Sequence, residues 1–167
     1  QALWTISEAD DFFTGSAASY TDRNGALSTT KAHPMVVNRN KDTLCIGNGN
    51  AVKQYDNTYT VLGAGFLLAL PADFEVVGLA YSNGLVGVLT ALDSDTASGT
   101  NLEAAFYTWD GNAVTPNQMI PLGSDRGIGI VAYGGSFVIL TRTGQLLFYT
   151  GGGLRVLASL PFYFKNL

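Results

Sequence analysis

Paired carboxylates are the first chemistry the residue types would allow, and Asp73, Glu75, Glu103, Asp110 and Asp125 are the candidates. Glycoside hydrolysis would need only that two of them converge in space. Turn chemistry accounts for Asp56 and for Asp110, which precedes Gly111, and the polar link after Pro71 accounts for Asp73, so no pair stands out. His33 is the only histidine and has no Gly-x-Ser-x-Gly elbow around it, so it reads as a structural residue where a strand begins. One histidine and the single cysteine, Cys45, do not make a zinc site, and a lone cysteine excludes an internal disulfide. Between Leu44 and Ile46, Cys45 reads as a small buried hydrophobe. The run Asp93-Ser94-Asp95-Thr96-Ala97-Ser98-Gly99 has the look of a calcium loop. It lacks the oxygen ligand at the fifth position, the glycine at the sixth and the distal glutamate, so it reads as a solvated insertion. Gly47-Asn48-Gly49-Asn50 and Gly151-Gly152-Gly153 open no helix onto which phosphate could dock, and are read as turns. These residues assign no catalytic, cofactor-binding or metal-ligating position, and the chain is expected not to be an enzyme.

The elements that would position any site come from a repeat written three times, over residues 34–71, 76–121 and 128–161. Each copy reads as an apolar strand, a tight Asn/Gly turn, a second apolar strand, a strand ending in an aromatic, another turn, and a strand ending before proline. Ser82-Asn83-Gly84 and Asp110-Gly111 are strong hairpin signals in the second copy, and Gly134-Gly135 and Thr143-Gly144 serve in the third. In the first copy the turns are expected at residues 38–42 and 47–49, with a bulge in the long strand of residues 59–70. The first two strands of each copy are apolar at nearly every position, as in Val86-Gly87-Val88-Leu89 and Phe137-Val138-Ile139-Leu140. Strands covered on both faces read this way. The fold class is therefore all-β, with about three four-stranded antiparallel blades of an incomplete β-propeller and an irregular N-terminal segment. Residues 1–31 are an arm or partial blade, residues 32–167 the propeller-like domain with blades at about 32–73, 74–122 and 123–161, and residues 162–167 a tail.

Composition narrows the partners. The chain has 167 residues, 47 % hydrophobic and only 13 % charged, against a usual charged share of about 25 %. A net charge of −4 and no lysine or arginine run exclude nucleic acid as the expected partner. The longest apolar stretch is ten residues, residues 61–70 with two glycines, about half of a membrane-spanning helix, so membrane insertion is not expected. The chain starts at Gln1 with no basic and apolar leader, so a signal peptide is expected to be absent or removed, and the chain could equally be a segment of a longer protein.

Closed propellers have roughly four to eight blades, and three copies leave two end blades with apolar faces uncovered. Other protein subunits, in a homo- or hetero-assembly, or the remainder of a longer chain are the expected partners. On the blade edges, the connections that differ most between copies hold Asp93, Asp95, Thr100, Asn101, Asp125, Arg126 and Arg142, which form the candidate ligand- or partner-binding loop face. The aromatics Tyr55, Trp109 and Tyr149 recur at equivalent positions and are read as blade packing ahead of ligand stacking. Two quoted stretches carry a family likeness. His33-Pro34-Met35-Val36-Val37 and Leu44-Cys45-Ile46-Gly47-Asn48-Gly49-Asn50, with Val52 and Tyr55-Asp56, resemble the propeller-type repeats of virion proteins in tailed bacteriophages. The Trp109-Asp110-Gly111 turn and the Leu70-Pro71, Ile120-Pro121 and Leu160-Pro161 ends extend that resemblance to about residue 161. The resemblance implies a structural role in a virion tail, adaptor or fibre, with no cofactor and no catalytic residue. The alternatives are an extracellular carbohydrate- or receptor-binding module using the loop face for a glycan, and a fragment of a propeller glycoside hydrolase.

Overall fold

The computed structural model describes residues 4–6, 20–22, 27–28, 30–56, 62, 68–92, 104–123 and 125–161. The chain divides into two compact units, Gln1–Lys31 and Ala32–Leu167. In the first, β1 (Trp4–Ile6) pairs antiparallel with β2 (Tyr20–Asp22), Trp4 opposite Asp22. The second unit contains three four-stranded antiparallel sheets, and no helix occurs among the described residues.

Sheet I consists of β3 (Met35–Asn38), β4 (Thr43–Asn48), β5 (Ala51–Tyr55) and β6 (Leu68–Ala69). Sheet II consists of β7 (Phe74–Ser82), β8 (Leu85–Leu92), β9 (Ala104–Trp109) and β10 (Gln118–Pro121). Sheet III consists of β11 (Gly127–Tyr133), β12 (Ser136–Thr141), β13 (Gln145–Tyr149) and β14 (Leu154–Ser159). In each, consecutive strands are neighbours, so every sheet is a meander. The β7–β8 turn shows why the chain reverses there: Asn83 and Gly84 both adopt left-handed φ, 49° and 83°, as a two-residue hairpin loop requires.

Sheet II lies between the other two, and its first strand β7 meets both β3 and β11. We call the side of a sheet facing its predecessor the front and the other side the back. Cys45 and Val52 on the back of sheet I pack with Val86, Val88, Tyr107 and Trp109 on the front of sheet II. Ala80, Leu89 and Phe106 on the back of sheet II pack with Phe137, Ile139 and Tyr149 on the front of sheet III. Phe106, Phe137 and Tyr149 form an aromatic triangle with centroids 5.3 to 6.1 Å apart.

Strand pairing puts the three sheets in one register. Met35–Ile46, Leu79–Val88 and Ile130–Ile139 are equivalent front-face pairs, as are Val37–Leu44, Tyr81–Val86 and Ala132–Phe137. Tyr55 and Trp109 continue the second row onto the third strand, and Tyr149 occupies the same register in β13. Strands β7 and β11 even share an irregularity, a register shift between Val76 and Gly78 and between Gly127 and Gly129.

Some boundaries differ from those read in the sequence. Strand β4 runs through Gly47 and Asn48, and the turn falls at Gly49-Asn50, with the left-handed φ at Gly49. Gly47 serves a close approach instead, because a Cβ there would lie 2.8 Å from Val76 Cγ1. Strand β10 starts only at Gln118, well after the Asp110-Gly111 turn, because residues 110–117 form a loop tied by Trp109 Nε1–H to Ala113 O, 2.7 Å, and by Asp110 N–H to Asn117 Oδ1, 2.7 Å. Most of the expected bulged stretch of residues 59–70 lies outside the described residues.

Candidate functional site

The residues with chemical potential are dispersed. His33 Nδ1 is 2.9 Å from the Gly47 carbonyl, which can only accept, so that nitrogen carries the proton and pins the approach to β3. Cys45 is completely buried, and desolvation pushes its thiol up to about 12 despite a hydrogen bond with Thr43. Burial by itself would raise the Asp110 carboxyl. Hydrogen bonds from the Asn112 side chain and backbone, then Asn117 and the charge of Lys41, outweigh it and hold Asp110 below the usual carboxylate range. The carboxylate is thus spent on its own turn. Glu75 faces Arg126 at 3.9 Å, and Glu103 lies outside the described residues. Among the described residues, no group of three or more His, Cys, Asp or Glu comes together.

Of the loop-face candidates, Asp93, Asp95, Thr100 and Asn101 lie outside the described residues. Asp125, Arg126 and Arg142 are brought together by the loops flanking β11 and following β12. The Asp125 carboxylate accepts from the Thr143 hydroxyl and, at 3.3 Å, from its N–H, while Arg142 N–H donates to Arg126 O at 2.7 Å. These contacts knit two loops of one sheet. Trp109 and Tyr55 are fully buried and Tyr149 nearly so, which removes any stacking face for a sugar.

Buried polar groups join sheets I and II. Thr43 Oγ1–H donates to Gln54 Oε1 and Gln54 Nε2–H donates to Gly111 O, each 2.9 Å. Gly111 has φ 84°, and a Cβ there would strike Asn38 Nδ2 at 2.8 Å, so this turn requires glycine twice over. Nearby, the Tyr81 hydroxyl donates to Asn40 Oδ1 at 2.9 Å.

Among the described residues, two open surfaces stand out. Along the first strands of the three sheets runs a groove of about 710 Å³, walled by Val37, Leu79, Tyr81, Ile130 and Val131 with Arg39 at its rim. The second is the back of sheet III, where Gly129, Val131, Val138, Leu140 and Leu146 line an apolar depression of about 340 Å³. Val131 is 58 % exposed and Tyr133 68 %. On the opposite end, Met35 and Val37 on the front of sheet I are half exposed, while Ile46 and Tyr55 on that face are buried. The back of sheet III is apolar, the groove is mixed, with Arg39, Ser82 and Asn83 also in its wall, and neither is lined by a carboxylate. The glycines that shape them carry no chemical signal in the sequence; only the unbroken apolar run of β12 hints at a covered back face. No protein-family model and no curated protein matches this chain.

Proposed function

We propose that the three sheets are blades of an incomplete β-propeller, and that the chain is a non-enzymatic structural component of a protein assembly of the kind found in tailed-phage virions. Its end faces are covered there by neighbouring subunits. The observation that carries this reading is the back of sheet III. Strand β12 reads Ser-Phe-Val-Ile-Leu-Thr, as apolar as β8, yet β8 is buried from Val86 to Ala91 while Val138 and Leu140 of β12 are covered only in part. A sheet face of this composition left in water is an association surface. Mass spectrometry of intact particles from the native source tests the reading: the chain should appear in them in fixed stoichiometry, with β11 and β12 protected from hydrogen exchange. Recovery only as a free monomer in a secreted extract overturns it. The glycan-binding alternative finds less support, because Asp125 is engaged by Thr143 and Arg126 faces Glu75.

A further inference from the structure

The open back of sheet III and the exposed first strand on the front of sheet I, where Met35 and Val37 stand beside the already buried Ile46 and Tyr55, match the two halves of an interface that the chain already builds twice. Where sheet III meets sheet II, two front-face side chains press into two glycines. A Cβ at Gly78 would lie 2.8 Å from Ile130 Cγ2, and a Cβ at Gly87 would lie 2.8 Å from the Phe137 ring. Neither glycine has left-handed φ, so the close approach is what calls for glycine there. By strand register, the equivalents of Gly78 and Gly87 on the back of sheet III are Gly129 and Val138. The equivalents of Ile130 and Phe137 on the front of sheet I are Met35 and Leu44.

Gly129 has the same backbone setting as Gly78, directly after the shared bulge, but nothing lies within 4 Å of where its Cβ would be. Its glycine is a socket without a knob. Met35, 53 % exposed, is a knob without a socket. In the second pair the sizes trade: the socket grows from Gly87 to Val138 while the knob shrinks from Phe137 to Leu44. We infer that the occupant of the open back of sheet III is the front of sheet I of a second copy of this chain, with Met35 seated over Gly129 and Leu44 over Val138. The same contact repeated by the twofold axis covers the other pair of faces.

Stoichiometry follows from closure. A front-to-back contact is heterologous and must close into a ring or run on as a filament. Counting the four-stranded sheets among the described residues, two copies bring six, inside the roughly four to eight of closed propellers, and three copies would bring nine. The open groove along β3, β7 and β11 then becomes one side of an axial channel. This inference rests on the assembly reading and names its partner.

The test uses the full chain at micromolar concentration, by light scattering after gel filtration and by native mass spectrometry. The expected mass is twice 17.6 kDa. Gly129→Leu should weaken the dimer at least about tenfold while leaving the circular dichroism spectrum of the dilute monomer unchanged, because its side chain enters open space. Combining it with Met35→Ala should restore dimerisation, since the knob is removed where the socket is filled. A monomer, a trimer, or a dimer indifferent to both variants overturns the inference. If the chain is monomeric alone but its β11 and β12 are protected within native particles, the second copy is wrong and the assembly reading stands. If those strands exchange freely within the particles, the assembly reading fails too.

Discussion

Gln54 is 1 % exposed and uses both ends of its amide, accepting from Thr43 and donating to Gly111 in the neighbouring sheet. Gln54→Leu keeps the bulk and leaves the Thr43 hydroxyl and Gly111 carbonyl unmatched in the interior, which should cost about 2–4 kcal/mol. A urea titration should show a lowered midpoint at unchanged slope. Cys45 offers a second residue-scale check. A thiol pushed up to about 12 and removed from solvent should resist iodoacetamide near pH 8 in the folded chain and react promptly once urea unfolds it. Asp110 has the opposite shift. Because its folded-state value is depressed, its contribution to stability is present above the unfolded value of about 4 and is lost as pH falls through the folded one. Asp110→Asn should flatten that acid-side loss, by well under about 1 kcal/mol since the carboxylate is largely open to solvent and screened; urea midpoints across the acid range would show it. The turn role of Asp110 was legible in the sequence because Asp-Gly is local chemistry. The bridging role of Gln54 was not, since its partner Gly111 lies 57 residues away and no spacing rule joins them.

Hairpins are the elements the sequence states most openly. Asn83-Gly84 and Gly134-Gly135 put left-handed residues where two-residue loops need them, and the structure turns at both. Glycine misleads where it serves packing: Gly47 looks like part of a turn but lies inside β4 against Val76. The two uses make a measurable distinction. Gly87→Ala places a methyl 2.8 Å from the Phe137 ring with Ile130 Cδ1 at 3.0 Å, and should destabilise the chain by about 1–3 kcal/mol. Gly129→Ala, measured in dilute solution where the chain is monomeric, meets open space and should change stability by less than about 0.5 kcal/mol. Equal costs at the two positions would mean that close approach of the Phe137 ring is not what calls for glycine at position 87. The loop face was only partly legible for a related reason. Asp125 and Thr143 are joined through the β10–β11 and β12–β13 connections, a proximity set by the meander and invisible in either loop alone.

At the scale of the whole molecule, the decisive feature is a mismatch between what the strands are written for and what one chain covers. Strands β8 and β12 have similar composition, yet only β8 is enclosed on both sides. Counting the repeats could reveal that faces were left over, but not which residues would meet, because that depends on register between sheets. The thermodynamics of association can be anticipated from the faces themselves. Val131, Val138, Leu140, Leu146, Met35 and Val37 carry no charge, and the charges that share these faces, Lys53 opposite Ile46 and Arg155 opposite Phe148, have the same sign, so the driving force is apolar burial and each copy brings a net charge of −4 to the encounter. Salt should therefore strengthen the dimer, by screening like-charge repulsion and, with sulfate, by favouring burial. Cooling should weaken it, since hydrophobic stabilisation fades toward low temperature. Sedimentation equilibrium across a salt series and at two temperatures would check both signs. An interface held by ion pairs would show the reverse salt dependence, because screening weakens opposite charges as surely as it relieves like ones.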